Sequence, residues 1–334
     1  MIINSKKDFF IRGGATIFGA FLLINAIKNY GLVSISTDLK KNWFFLFVIV
    51  FSFVPTLFCY SASWLLASGH EFMPKTISVK RKMLIFMKIT LASIAWNNLT
   101  PFLKIGGEPL KYLMLQKYLP KKEALESTIN YNIIHLFSTG LSFVMALILI
   151  TLFYSVSHHL LSSLLLACVF ICFFIFLCAR LFNSKMILMT MLFRFKKMRV
   201  VNINVRLSFR RLLSQFKRKP LVFSLSLFFD LAARFIEGLT LYLGFYFINH
   251  PISLLTSSIL DVGRTFVDTL FFFIPYQVGS REEGIRFLME NVLVVNSKGF
   301  LTAALIYRFV EIFWIVVGYF IWVISKSSSK ELIR

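Results

Sequence analysis

Apolar runs of roughly 18 to 25 residues recur along this chain, and no other feature restricts its fold as much. A hydrocarbon core about 30 Å thick is crossed by roughly 20 residues of helix, so each run is long enough to span a bilayer. Lipid offers the backbone no hydrogen-bonding partner, so a crossing segment must pair its own amides as a helix. Full spans are expected at 13–32, 43–67, 123–152, 159–183, 220–248 and 298–325. A mean hydropathy of +0.75, forty phenylalanines and only 16 % charged residues in 334 leave no stretch suited to a soluble domain. The expectation is one all-α polytopic membrane domain over 1–334. Lys6, Lys7 and Arg12 precede the first apolar stretch without a small-x-small cleavage site, which predicts an uncleaved first span.

The formal charge of +22 raises the question of nucleic acid, and its placement decides against it. Residues 184–219 hold eleven Lys and Arg and no acid, yet lie between two spans. The preference of basic loops for the cytoplasmic side, and of lysine and arginine for anionic headgroups there, accounts for that segment. Lys75, Lys80, Arg81, Lys82, Lys117, Lys121, Lys122, Lys326 and Lys330 fall on the same side, against Lys40, Lys41 and Lys298 on the other. Both termini are therefore expected in the cytoplasm of a cell membrane.

Two regions depart from the pattern of simple spans. In 83–119 an apolar arm meets Gly106-Gly107-Glu108-Pro109 and continues as a short charged piece, "LKYLMLQKYLP". In 252–292 a long apolar arm meets Pro275 and a glycine-containing turn, then "SREEGIRF". Both read as helix pairs broken by Pro101, Gly106 and Gly107 in one case and by Pro275 and Gly279 in the other. Irregular backbone at membrane depth survives only inside protein or beside a wet cavity, so these pieces should point inward. Each pair either re-enters from one side or crosses twice, and the short second arms favour re-entry. One pair starts in the cytoplasm and the other outside, which predicts two inverted-topology repeats, 13–152 and 159–325. Pro101 and Glu108 stand seven apart, as do Pro275 and Glu282.

Charges recur at helical spacing in the second half. Asp230, Arg234 and Glu237 follow i, i+4, i+7, Asp261, Arg264 and Asp268 follow i, i+3, i+7, and Arg308 and Glu311 make a further pair. At roughly 2.5–3.5 kcal/mol per charge at a helix centre, such groups cannot all face lipid. Pairing as interhelical glue is one reading, and a polar path through the second half is the better one. In the first half the candidates are Lys88, Asn97, Asn98, Lys104, Glu108, Lys111, Glu126, Asn130 and His135. Asn97 and Asn98 precede the break, where they are placed to bond freed backbone groups. Glu108 opens a short helix, where a carboxylate also serves the positive helix end.

Enzymatic signatures are missing from the sequence: no G-x-S-x-G, H-E-x-x-H, P-loop or paired CxxC. Cys59, Cys168, Cys172 and Cys178 all lie in apolar runs, so no metal and no cofactor is expected. His158 and His159 read as a pair in a short exterior loop.

"NNLTPFLKIGGEPLKYLML" and "IPYQVGSREEGIRFL" resemble the membrane region of lysylphosphatidylglycerol synthases and the flippase-like proteins related to it. "GSREEG" resembles in particular the subgroup associated with hopanoid lipids. The resemblance covers nearly the whole chain and implies translocation of a polar-headed lipid between leaflets. Family motif positions fall on Asn98, Pro101, Gly106, Gly107, Glu108, Pro275, Gly279 and Glu282. Lys111 stands where the family often has Arg, and Pro109 directly after the glutamate is unusual. No aminoacyl-transferase domain follows Arg334, so synthesis of a modified lipid is not expected of this chain.

Residues and resemblance together predict a flippase with alternating access and no enzymatic activity. The headgroup-binding set is Asn98, Glu108, Lys111, Arg264, Arg281, Glu282, Arg286 and Arg308, and the polar path is Asp230, Arg234, Glu237, Asp261, Asp268 and Glu311. Arginine suits phosphate because its fork bonds bidentately and stays charged when partly dehydrated. Glu282, Glu283, Asp261 and Asp268 would keep the empty site neutral. The expected partners are a membrane lipid with a phosphate-bearing or glycosyl headgroup and anionic cytoplasmic lipids. A transporter of a small anion and a scaffold for a lipid-synthesising enzyme are the alternatives.

Overall fold

A computed structural model of the protein describes residues 43–69, 77–99, 106–156, 158–159, 161–166, 169–170, 220–271, 274, 277, 279–295 and 299–331. The expected span at 13–32, most of that at 159–183, the basic segment 184–219 and the breaks Pro101 and Pro275 lie outside them. Among the described residues all regular structure is helical. In chain order the helices are α1 (Trp43–Phe51), α2 (Phe53–Trp64), α3 (Val79–Leu99), α4 (Gly107–Leu115), α5 (Lys121–Phe153), α6 (Pro220–Phe247), α7 (Leu254–Leu270), α8 (Ser280–Phe287) and α9 (Phe300–Glu331). Single π turns, Leu65–Gly69 and Leu288–Val292, extend α2 and α8.

Among the described residues three stretches are long and apolar enough to cross a membrane: Phe44–Ala67, Lys121–Phe153 and Phe300–Ser325. At 28 residues, about 42 Å at 1.5 Å per residue, α6 has the length as well. Unlike those three it carries three charges, Asp230, Arg234 and Glu237, in its middle. The outer faces match a hydrocarbon solvent: Phe44, Leu152, Phe228, Ile312 and Ile324 are all exposed.

The span expected at 43–67 is bent. Pro55 has no N–H and its ring crowds the carbonyl four residues back, so the helix breaks at Ser52 between α1 and α2. The Ser52 hydroxyl bonds Ile49 O at 2.6 Å and the Thr240 hydroxyl at 2.8 Å. Trp314 Nε1 donates to Val50 O at 2.8 Å, so the bend is fixed from both α6 and α9.

Helix α6 is the hub, packing against α2, α5, α7 and α9. Around it lie two apolar cores. Trp64, Phe86, Leu115, Ala124 and Ile134 bind the hairpin α3–α4 to α2 and α5. Leu241, Phe245, Leu260, Met289 and Leu301 bind the hairpin α7–α8 to α6 and α9. Polar side chains gather where these cores meet.

Candidate functional site

At the start of each hairpin's second arm a side-chain oxygen accepts a backbone amide. In the first, Asn97 Oδ1 accepts the Gly107 amide at 2.7 Å, and Asn98 Nδ2 donates to Ile94 O at 3.0 Å. A side chain at Gly107 would collide with the Ser93 backbone and hydroxyl, so only glycine lets α4 start this close to α3. In the second, Gly279 holds φ +80°, a conformation that favours glycine, and its amide donates to Glu282 Oε2 at 2.8 Å. Glu282 at the third position of α8 thus supplies one half of a capping box, its carboxylate accepting the amide of the N-cap residue Gly279.

Glu282 has a second duty. Its Oε1 accepts from Arg308 Nε at 2.9 Å, while Arg308 Nη2 holds Gln277 O at 2.9 Å, so α9 clamps the turn. Beyond it Arg264 and Arg281 join Glu237, Asp261, Asp268 and Glu311 into one connected chain. Arg281 grips Asp268 bidentately at 2.9 and 2.5 Å and Glu311 at 2.6 Å. Arg264 reaches Asp261 at 2.8 Å, Glu237 at 3.2 Å and Asp268 at 3.5 Å. Glu237 also accepts from the Tyr60 and Tyr307 hydroxyls, bringing α2 into the network. Its guanidinium and carboxylate groups belong to α6, α7, α8 and α9.

Two smaller clusters adjoin it. Lys111 Nζ donates to Glu108 Oε1 at 2.9 Å and to Asn132 Oδ1 at 3.2 Å over the Tyr131 ring, and Asn132 Nδ2 donates to the other oxygen of Glu108. Asp230, fully buried, bonds Ser138 at 2.5 Å and His135 at 3.0 Å, and Arg234 at 3.7 Å completes the pairing.

These clusters surround a cavity of about 510 Å³. Asn98, Glu108, Lys111 and Arg264 line it, as do Arg234, Glu237, Asp268 and Glu311. Asp230 and Asp261 are buried behind the wall, each held by an arginine that lines it. Arg281 and Arg308 also stand behind it and orient the lining carboxylates Asp268 and Glu311. The turn is the place of Glu282, and Arg286 is partly exposed and paired with Glu283 at 2.7 Å. The set expected to contact a headgroup thus divides into a lining group and a supporting group.

The lining also holds residues that the charge pattern did not select: Tyr60, Thr90, Ser93, Tyr131, Gln277, Tyr307 and Trp314. Thr90, Ser93 and Asn97 repeat at i, i+3, i+7, the spacing that singled out the charged trios, so the stripe was present to be read. No group of His, Cys, Asp and Glu suited to a metal ion occurs among the described residues.

Residues 11–318 match the family described as the lysylphosphatidylglycerol synthase TM region. The chain belongs to that family. Its membrane setting and a role connected with membrane lipids follow from the membership. No curated protein matches the chain, and no solved structure does. Within this TM-region family, the glycine and glutamate of the second motif have a physical reason here: Gly279 supplies the turn and Glu282 caps it.

Proposed function

We propose that this member of the family moves a polar-headed lipid between the leaflets of a cell membrane by alternating access, and that it transports without catalysing a reaction. The observation that carries the reading is a polar cavity lined from both hairpins, by Asn97, Asn98, Glu108 and Lys111 on one side and by Arg264, Asp268 and Gln277 on the other. In hydrocarbon such a lining can replace water around a polar group in passage. The lipid's tails remain in the bilayer while its headgroup occupies the cavity.

In this reading the hairpins are re-entrant elements of two inverted repeats, in a chain of six full spans with both termini cytoplasmic. The basic segment 184–219 rests on anionic headgroups. Kinship with the hopanoid-associated subgroup belongs to the same proposal. A small-anion carrier is disfavoured because Arg264 and Arg281 already hold carboxylates, and a guest anion would have to displace them. A scaffold for a lipid-synthesising enzyme has no need of a lined interior.

The test is reconstitution of the full chain into liposomes carrying headgroup-labelled fluorescent lipids, followed by an impermeant quencher. The reading predicts that label in the inner leaflet becomes accessible with the protein and stays protected in empty liposomes. Protection in both, with the protein folded and inserted, overturns it.

A further inference from the structure

The ion-pair network of α6, α7, α8 and α9 does not balance. Five carboxylates, those of Glu237, Asp261, Asp268, Glu282 and Glu311, share three guanidiniums, those of Arg264, Arg281 and Arg308. The two adjoining clusters do not redress the difference, because Glu108 is matched by Lys111 and Asp230 by Arg234. Among the described residues, the groups around the cavity therefore include two more carboxylates than lysines and arginines. Charge left unmatched away from water is strongly destabilising, so something positive accompanies it. A metal ion does not fit: the carboxylates are strung along the guanidiniums, and no group of His, Cys, Asp and Glu among the described residues converges as ligands would. A proton needs no such convergence, because one carboxylate oxygen holds it.

The shortage is greatest at Arg264. Asp261 at 2.8 Å and Glu237 at 3.2 Å both depend on it alone, and it also serves Asp268 at 3.5 Å. Two carboxylates on one shared guanidinium are the arrangement in which one of them keeps a proton. The other groups facing the pair are already engaged. Tyr60 of α2 and Tyr307 of α9 donate to Glu237, and His135 of α5 bonds Asp230, which Arg234 pairs on α6. Arg281 of α8 holds Asp268 and Glu311, and Lys111 of α4 holds Glu108. Glu237 lines the cavity and Asp261, 1 % exposed, lies behind it, so cavity water reaches the pair through Glu237. Resting on the translocation reading, we propose that Glu237 and Asp261 carry an exchangeable proton and that the lipid moves in exchange for it. A headgroup donor that bonds Glu237 takes the lone pair the proton held. The proton then passes from the carboxyl O–H to cavity water, leaving a carboxylate and a hydronium ion, and each crossing of a headgroup returns one proton the other way.

The experiment has two arms, both on the full chain. In nanodiscs, infrared spectra at neutral pH should show a protonated carboxyl C=O band that fades in alkaline buffer. Asp261→Asn and Glu237→Gln should each weaken that band, and Asp261→Glu should keep it. No such band in the wild type, or a band unchanged in both amide variants while they remain folded, overturns the assignment. In liposomes, the same headgroup-labelled lipids as in the translocation assay are followed across a pH gradient. With a gradient of about one pH unit, one-for-one exchange should accumulate label about tenfold in the leaflet on the acid side, equivalent to about 1.4 kcal/mol. A proton ionophore should abolish that difference. The two arms separate the proposals. If lipid crosses but its distribution ignores the gradient, translocation stands and the exchange falls; if the band behaves as expected and nothing crosses with or without a gradient, the protonated pair stands and the translocation reading falls.

Discussion

Glu282 joins the turn, the cap and the ion-pair network, which makes it the residue whose loss separates structure from transport most clearly. Glu282→Gln keeps an oxygen for the Gly279 amide and gives up the charge opposite Arg308. The expected outcome is a folded protein with lower thermal stability and slower translocation, measured by thermal unfolding in detergent beside the liposome assay. Gly279→Ala forces a side chain into the φ +80° conformation at a cost of about 1–3 kcal/mol, read as a lowered unfolding temperature. Arg281→Met should be worse than either. It leaves Asp268 and Glu311 without their closest guanidinium in a buried site, a loss of about 3–5 kcal/mol that should show as poor yield of folded protein. At this scale the sequence was partly legible. Charges at helical spacing cannot face lipid, so their convergence was foreseeable, but which arginine lines the cavity and which stands behind it depends on rotamers and neighbouring helices. Tyr60 and Tyr307 carry no formal charge, so nothing in the charge pattern marked them as partners of Glu237.

Helix positions follow from hydrophobic runs and from their interruptions. The arms of both hairpins lie where glycine and charge interrupt the apolar pattern, because such backbone needs partners that lipid does not supply. The bend at Ser52 was less visible: Pro55 stands inside an unbroken apolar run, and the groups that fix the bend, Thr240 and Trp314, are distant in sequence. Element-scale packing makes Gly107 a firm prediction. Gly107→Ala pushes α4 from α3 against Ser93, weakening the Asn97 bond to the Gly107 amide. Faster amide exchange over 107–115 than in the wild type is expected, with α7 and α8 unchanged. Uniform protection of α4 in that variant would show that the close approach is not needed.

For the whole molecule, the arrangement of two apolar cores meeting at one polar cavity explains why a chain so rich in phenylalanine carries buried arginines. Lipid surrounds the outer faces, the cores hold each hairpin to α6 and its neighbours, and the charges are confined to the seam. Movement of one core relative to the other would expose that seam to each leaflet in turn, so a link inside one core should leave transport intact. Helices α2 and α6 meet within the first core at Ser63 and Ser226, whose hydroxyls lie 3.2 Å apart. The double variant Ser63→Cys, Ser226→Cys, in a background with Cys59, Cys168, Cys172 and Cys178 replaced, should translocate equally when oxidised and when reduced. Inverted repetition, by contrast, was read from topology and from the Pro–Glu spacing alone, and both prolines lie outside the described residues.

The most direct test of the central claim is thiol accessibility of the cavity wall. Asn98→Cys and Thr265→Cys, one from each hairpin, are introduced singly into the same cysteine-replaced background and treated in intact membranes with a membrane-impermeant thiol reagent. Labelling of both positions, with Phe228→Cys on the exposed apolar face unlabelled, is the predicted result. If neither hairpin position is labelled from either side of the membrane while the protein is folded, the two hairpins do not share a water-filled route.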